Sequence, residues 1–221
     1  MSTFVAVLWK DLLCEWRNHE RLSAMVVFSL LLVVIFHFAL PESSAPASRT
    51  YAPGLLWAAY VFAALLGHNR AFAAELENDA LSGLALAPVD RGWIFLGKAA
   101  ANFLVLAAVQ FLTAAAFALA FELELAAHAL PFAGIAALGA LGLSCLGTLF
   151  AAVAVRTRFR DVLLPLLLFP LAIPLLAAAV HATAAILAGR GVPPASLHLL
   201  LVVDAVYAIV SFLSFEYVLD E

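Results

Sequence analysis

Six stretches of the chain are nearly unbroken runs of apolar side chains: Leu22–Leu40, Pro53–Gly67, Ala99–Phe121, Pro131–Val155, Val162–Leu187 and Leu197–Leu219. Crossing about 30 Å of hydrocarbon takes about 20 residues of α-helix at about 1.5 Å each. Five of the runs meet that length alone. The second reaches it by borrowing Tyr51–Ala52 before it and Asn69–Ala74 after it. Backbone groups find no water in a bilayer, so each run must satisfy its own hydrogen bonds as a helix. No alternation at period two marks the strands of a barrel. The pattern predicts an all-α membrane protein with six transmembrane helices, one membrane domain over residues 1–221.

Composition supports lipid as the main solvent. Apolar residues make up 66% and charged residues 12%, against about 45–50% and about 25% in soluble domains. The net charge of -4 comes without a basic patch interleaved with aromatics, which argues against nucleic acid as a partner. Cys14 and Cys145 lie far apart in unlike settings, so neither a disulfide framework nor a Cys-x-x-Cys site is available. Ala45-Pro46-Ala47 loosely resembles a signal-peptide cleavage site, but the preceding run exceeds the roughly 7–15 apolar residues of such a signal, so it is expected to remain as a span.

Charge placement orients the helices. With the N-terminus in the cytoplasm, inner segments hold Lys10, Arg17, Arg21, Arg70, Arg91, Lys98, Arg156, Arg158 and Arg160, and outer loops hold Arg49 and Arg190. That bias predicts an N-in/C-in arrangement.

Four polar or irregular features interrupt the apolar pattern. Within residues 3–20, Val5, Leu8, Trp9, Leu12, Leu13 and Trp16 fall on one arc of a helical wheel. Lys10, Asp11, Cys14, Arg17 and Asn18 fall on the other, the signature of an amphipathic interfacial helix. Residues 68–98 form the largest polar stretch, expected in the cytoplasm between spans two and three. Glu75, Glu77 and Asp79 are an acidic cluster there; Asp79 is placed to cap a short helix, Ala80–Leu86, that Pro88 ends. Such a helix is either a docking element for a soluble partner or a solvated loop. Arg156, Arg158 and Arg160 fill a second, very short cytoplasmic loop, suited to topology control and lipid phosphates. Span five carries Pro165, Pro170 and Pro174, each removing one backbone donor, so it is expected to kink or split into half-helices.

Two quieter signals remain. Ala136, Ala140, Ser144, Thr148 and Ala152 form an i+4 ladder of small residues that permits close helix approach. His37, His181 and Asp204 are placed toward the outer ends of spans, with Asp204 shallow enough to be wet. No Walker motif, nucleophile elbow or His-Glu-x-x-His occurs, so no catalytic residue and no metal site is assigned.

The Ala52-Pro53-Gly54-Leu55-Leu56-Trp57 opening of span two, the acidic run Glu75–Asp79, the Leu86-Ala87-Pro88 stop, Gly97-Lys98 before span three and the triple-proline stretch Arg160–Leu176 together resemble the CcmB family. That family is the haem-exporter permease subunit of bacterial cytochrome c maturation. The chain departs from it at Asp79-Ala80, where the family usually places glycine after the acidic residue. The resemblance implies a non-catalytic permease domain over residues 1–221 of a bacterial inner-membrane, multi-pass protein. Asp79 and Leu81 would couple to an ATPase, with Glu75 and Glu77 as companions. Implied partners are the ATPase CcmA, the haem-handling CcmC, the small CcmD, the chaperone CcmE, a second copy of the chain and the bilayer. No cofactor is expected on this chain: haem would be handled by partner subunits and ATP bound by the ATPase. An ABC-2-type permease for a lipid or polysaccharide, or a non-transporting membrane scaffold, fits the bare residue pattern as well.

Overall fold

The computed structural model describes residues 3–40, 45–77, 90–155, 157 and 159–220, with side chains there except at 45–49, 73–77, 160, 161, 219 and 220. Among them are seven α-helices: α1 (Thr3–Arg17), α2 (Glu20–Ala39), α3 (Ala45–Glu77), α4 (Arg91–Ala120), α5 (Ala129–Val155), α6 (Arg160–Leu187) and α7 (Pro194–Asp220). A 3₁₀ turn, Leu125–His128, leads into α5. No strand occurs among the described residues. Helices α2 to α7 each hold a segment long and apolar enough to cross a membrane, in the order expected from the six apolar runs.

Helix ends follow local chemistry. Asp90 caps α4, its side chain accepting from the Gly92 backbone N–H at 2.8 Å. Gly189, at φ 70°, stops α6. The Gly189 and Arg190 N–H groups donate to the Ile186 and Ala185 carbonyls, a Schellman arrangement that needs a left-handed residue at Gly189. Pro194 then opens α7, where a missing donor costs nothing.

Helix α5 is the centre of the bundle, packed against α3, α4, α6 and α7. The small-residue ladder explains how: Ala136, Ala140, Ser144, Thr148 and Ala152 are all buried. Lipid tails are as apolar as leucine, so spans associate through close packing, which small side chains allow. Gly139 lies under the Trp57 ring, where a Cβ would come within 2.2 Å.

The second span takes in Tyr51–Ala52 and Asn69–Ala74 as expected, within α3, which continues to Glu77. Of the 68–98 stretch, α3 covers the part to Glu77 and α4 the part from Arg91, and the short helix expected over Ala80–Leu86 lies outside the described residues. Two expectations are corrected. The triple-proline span does not split into half-helices; α6 is continuous from Arg160 to Leu187. Its stripe of Leu164, Leu168, Ala172, Leu175, Ala179 and Ala182 is buried against neighbours, which holds it helical. The Tyr207 hydroxyl of α7 donates to the Leu171 carbonyl, a polar contact between α7 and the proline-rich part of α6. Asp204 is not shallow and wet. It lies about 15 Å along α7 from Pro194 at about 1.5 Å per residue, and it is buried.

Both ends of the span series meet at one end of the bundle. Arg21, at the start of α2, contacts Asn102 near the start of α4. Arg91 of α4 reaches the Glu216 carbonyl near the end of α7 at 3.4 Å.

Candidate functional site

The polar chemistry of the bundle concentrates where α1, α2, α4 and α5 meet. Gly97 makes the meeting close: a Cβ there would stand 2.8 Å from Val7 Cβ and 3.1 Å from the Phe4 carbonyl. So α1 lies with its backbone against α4, and Val7 is its buried residue. That places the next residue of α4, Lys98, beside α1. Lys98 Nζ stands 3.5 Å from Asp11 Oδ2 and 5.1 Å from the centre of the Phe72 ring of α3. Asp11 also pairs with Lys10 at 2.9 Å.

One turn further along each helix a second chain of contacts runs inward. Glu15 Oε2 is 3.5 Å from Arg21 Nη1, and Glu15 Oε1 accepts from the Leu22 backbone N–H at 3.0 Å. Arg21 Nη2 donates to Asn102 Oδ1 at 2.7 Å, and Asn102 Nδ2 donates to Thr148 Oγ1 at 2.8 Å. Asp11 and Glu15 are four residues apart on α1, as Lys98 and Asn102 are on α4, so each pair shares one helix face. The guanidinium fork lets one Arg21 bridge carboxylate and amide together. Helix α1 is thereby tied through α2 and α4 to the central helix α5.

His68 borders this junction from α3. It is buried, with Nδ1 donating to the Ala64 carbonyl at 2.6 Å and Nε2 without a hydrogen-bond partner among the described residues. Its ring lies on Gly147 of α5, where a Cβ would come within 2.5 Å. Farther along the bundle, Trp57 Nε1 donates to Thr183 Oγ1 of α6 at 2.9 Å, and the Tyr60 hydroxyl donates to the Gln110 carbonyl of α4 at 3.1 Å. Thr113 of α4 donates to Ser29 of α2 at 2.8 Å. Each inter-span pair of helices α3–α6, α3–α4 and α2–α4 thus carries a polar contact.

The outward face of α1 is apolar. Val5, Trp9, Leu13 and Trp16 are exposed, Trp9 at 63% and Trp16 at 78%. They belong to the arc expected to meet lipid, while Asp11, assigned to the opposite wet face, turns inward to Lys98.

The residues singled out for coupling are distributed differently. Glu75 and Glu77 lie on the last turns of α3, and their side chains fall outside the described set, as does that of Arg160 at the start of α6. Asp79, Leu81, Pro88, Arg156 and Arg158 lie outside the described residues. Pro165 and Pro174 are half-buried and Pro170 is exposed, all within α6. His37 and His181 do not converge: His37 rests edge-on against Phe121, and His181 bonds Ser196 at 2.9 Å. Among the described residues no three His, Cys, Asp or Glu side chains cluster as a metal site. At the bundle end away from Lys98, a cavity of about 450 Å³ opens among Thr50, Glu122, Glu124, His128 and Arg190.

Sequence reasoning missed Arg21, Lys98, Asn102 and His68 as packed groups, treating the cations as topology signals and His68 as part of a loop. The legible signal was the repeated i, i+4 spacing of polar residues beside apolar runs.

A family model described as CcmB protein matches residues 2–219. The chain belongs to the CcmB family. Relatives named heme exporter protein B include one from Paracoccus denitrificans, 33% identical over 77% of this chain and 78% of its own. Another, from Pseudomonas aeruginosa, is 31% identical over 90% of this chain and 87% of its own. A third, from Rhodobacter capsulatus, is 32% identical over 77% and 78%. This CcmB-family chain is accordingly a multi-pass membrane protein, and Gly97-Lys98 and Trp57, which carried part of the resemblance, prove to be helix-contact positions.

Proposed function

We propose that this chain is the non-catalytic permease subunit of a haem-exporting ABC complex in the bacterial inner membrane. The family match across residues 2–219, together with six spans, carries this reading. The excess of Lys and Arg on the segments expected inside, from Lys10 to Arg160, over Arg49 and Arg190 on the outer loops supports an orientation with both termini in the cytoplasm. ATP is hydrolysed by a partner ATPase of the CcmA type. CcmC and CcmD handle haem within the membrane, and release of haem-loaded CcmE on the outer side is the coupled step. Haem is cargo here, held by the partner subunits.

The junction supports a route for that coupling. Residues 78–90 join α3 to α4 in sequence, and the flanking parts of these helices bring Phe72 and Lys98 together. A push on the connection would enter α3 and α4 and pass through Asn102 and Thr148 to α5, and through Asp11 and Glu15 to α1. Rigid packing of this kind transmits displacement because each contact has few alternative geometries.

Replacing Glu77 and Asp79 together by Lys tests the docking. Losing a desolvated carboxylate partner costs about 2–5 kcal/mol at an interface, enough to abolish co-purification of the ATPase while membrane insertion stays intact. Unchanged co-purification would remove the connection from the coupling route.

A further inference from the structure

Asp204 is enclosed in the bundle and belongs to none of the contacts described above. It continues the packed stripe of α7 formed by Leu200, Tyr207 and Ser211, and only 3% of its surface is exposed. Neither carboxyl oxygen has a hydrogen-bond partner among the described residues. The site is tight. A Cβ on Gly142 of α5 would stand 2.4 Å from Asp204 Oδ1 and 2.2 Å from Leu175 of α6, so glycine at 142 is what admits the carboxyl between three helices.

The charge environment is equally defined. The titratable groups that face Asp204 are Cys145 of α5, a buried free thiol, and Tyr207, one turn along α7. Tyr207 gives its hydroxyl proton to the Leu171 carbonyl of α6. The α6 residues in contact here, Leu171 and Leu175, carry no charge. Helix α4 meets α7 farther along, at Gly92–Phe212 and Phe95–Phe215. An ionised carboxylate in such an enclosure has no partner to offset its lost hydration, and buried groups in that position become neutral instead.

We propose that Asp204 is a proton-binding site in the transmembrane core, a carboxyl that carries its proton while α5, α6 and α7 are packed together and can release it when their junction opens to water. The ligand is the proton itself. The site lies beside the proline-rich part of α6, next to Leu175 and one turn from the Tyr207–Leu171 contact, so a shift of α6 would change its access to water.

Two measurements on the full-length chain in lipid nanodiscs at neutral pH test this. The infrared difference between wild type and Asp204→Asn should contain the carbonyl stretch of a free carboxylic acid, lost in the variant. Dicyclohexylcarbodiimide should label the peptide that contains Asp204. The acid O–H adds across one C=N bond, its proton passing to nitrogen, and the O-acylisourea rearranges to a stable N-acylurea with no atom lost. A carboxylate ion lacks the proton that reaction needs. Labelling located by mass spectrometry in the wild-type chain requires no variant, so the test survives any folding defect of Asp204→Asn. Asp204→Glu should retain the adduct. A carboxylate band in place of the acid band, in the difference taken against Asp204→Asn or Asp204→Glu, would overturn the assignment.

Discussion

At the scale of single residues, the ion pairs that bind α1 to the bundle decide how the chain tolerates change. Glu15 and Arg21 are both largely enclosed, with side chains 13% and 15% exposed. Removing one partner of a buried pair costs about 3–5 kcal/mol, mostly from the charge left behind, and partial exposure places this pair near the lower end. Glu15→Ala should therefore lower the stability of the detergent-solubilised protein by about 3 kcal/mol, because it strips Arg21 of its carboxylate and the Leu22 N–H of its acceptor. Glu15→Gln keeps an oxygen for Leu22 and should lose less than half as much. Thermal unfolding of the three proteins side by side checks the order; equal losses would mean that the charge contributes nothing. These residues were partly legible in advance. That Arg21 lies at the mouth of an apolar run is plain from the sequence, but its amide partner is 81 positions away, and no local pattern points across that distance.

At the scale of elements, α6 and α1 differ most from their linear patterns. Three prolines in one span suggested a kink or a break into half-helices; α6 is not broken, because each proline removes one bond and packing retains the rest. Pro170 and Pro174 face partly outward, so alanine fits at both without a clash. Replacing both by Ala restores two donors, and a proline inside a helix costs about 3 kcal/mol, so the variant should insert and unfold no more easily than wild type. If a kink held by these prolines transmits motion, the assembled complex should still hydrolyse ATP but fail to release the haem-loaded chaperone. Normal cytochrome maturation by that variant would leave the prolines a packing role only. Helix α1 shows the reverse case: its amphipathic period was readable, but that Asp11 of the polar arc turns inward to Lys98 followed only when Gly97 let the backbone approach α4.

At the scale of the whole molecule, the six-span bundle has α5 at its centre, and the series of spans starts and finishes at the same end. The orientation proposed above predicts, from the inside-positive distribution, that this end is cytoplasmic. In a chain with Cys14 and Cys145 replaced by Ser, a single cysteine at Arg190 should react with a membrane-impermeant maleimide in spheroplasts, and one at Thr3 should react only after lysis. The opposite pattern would invert the molecule and place the 78–90 connection on the outer side, ending the ATPase-docking proposal.

The apolar runs by themselves determined that this is an all-helical membrane protein with six spans, because solvent choice in a bilayer is a property of composition and length, summed over about 20 residues at a time. The capping aspartate at Asp90, the glycine stop at Gly189 and the proline start at Pro194 were likewise local matters of backbone chemistry. Only the tertiary structure decided which polar groups meet. Lys98 finds Asp11, Asn102 finds Thr148, and the Asp204 carboxyl finds no hydrogen-bond partner among the described residues, through helices that are distant in sequence and pressed together at glycines. A buried polar atom's cost depends on what stands within about 3 Å of it, and that neighbourhood exists only once the helices have packed.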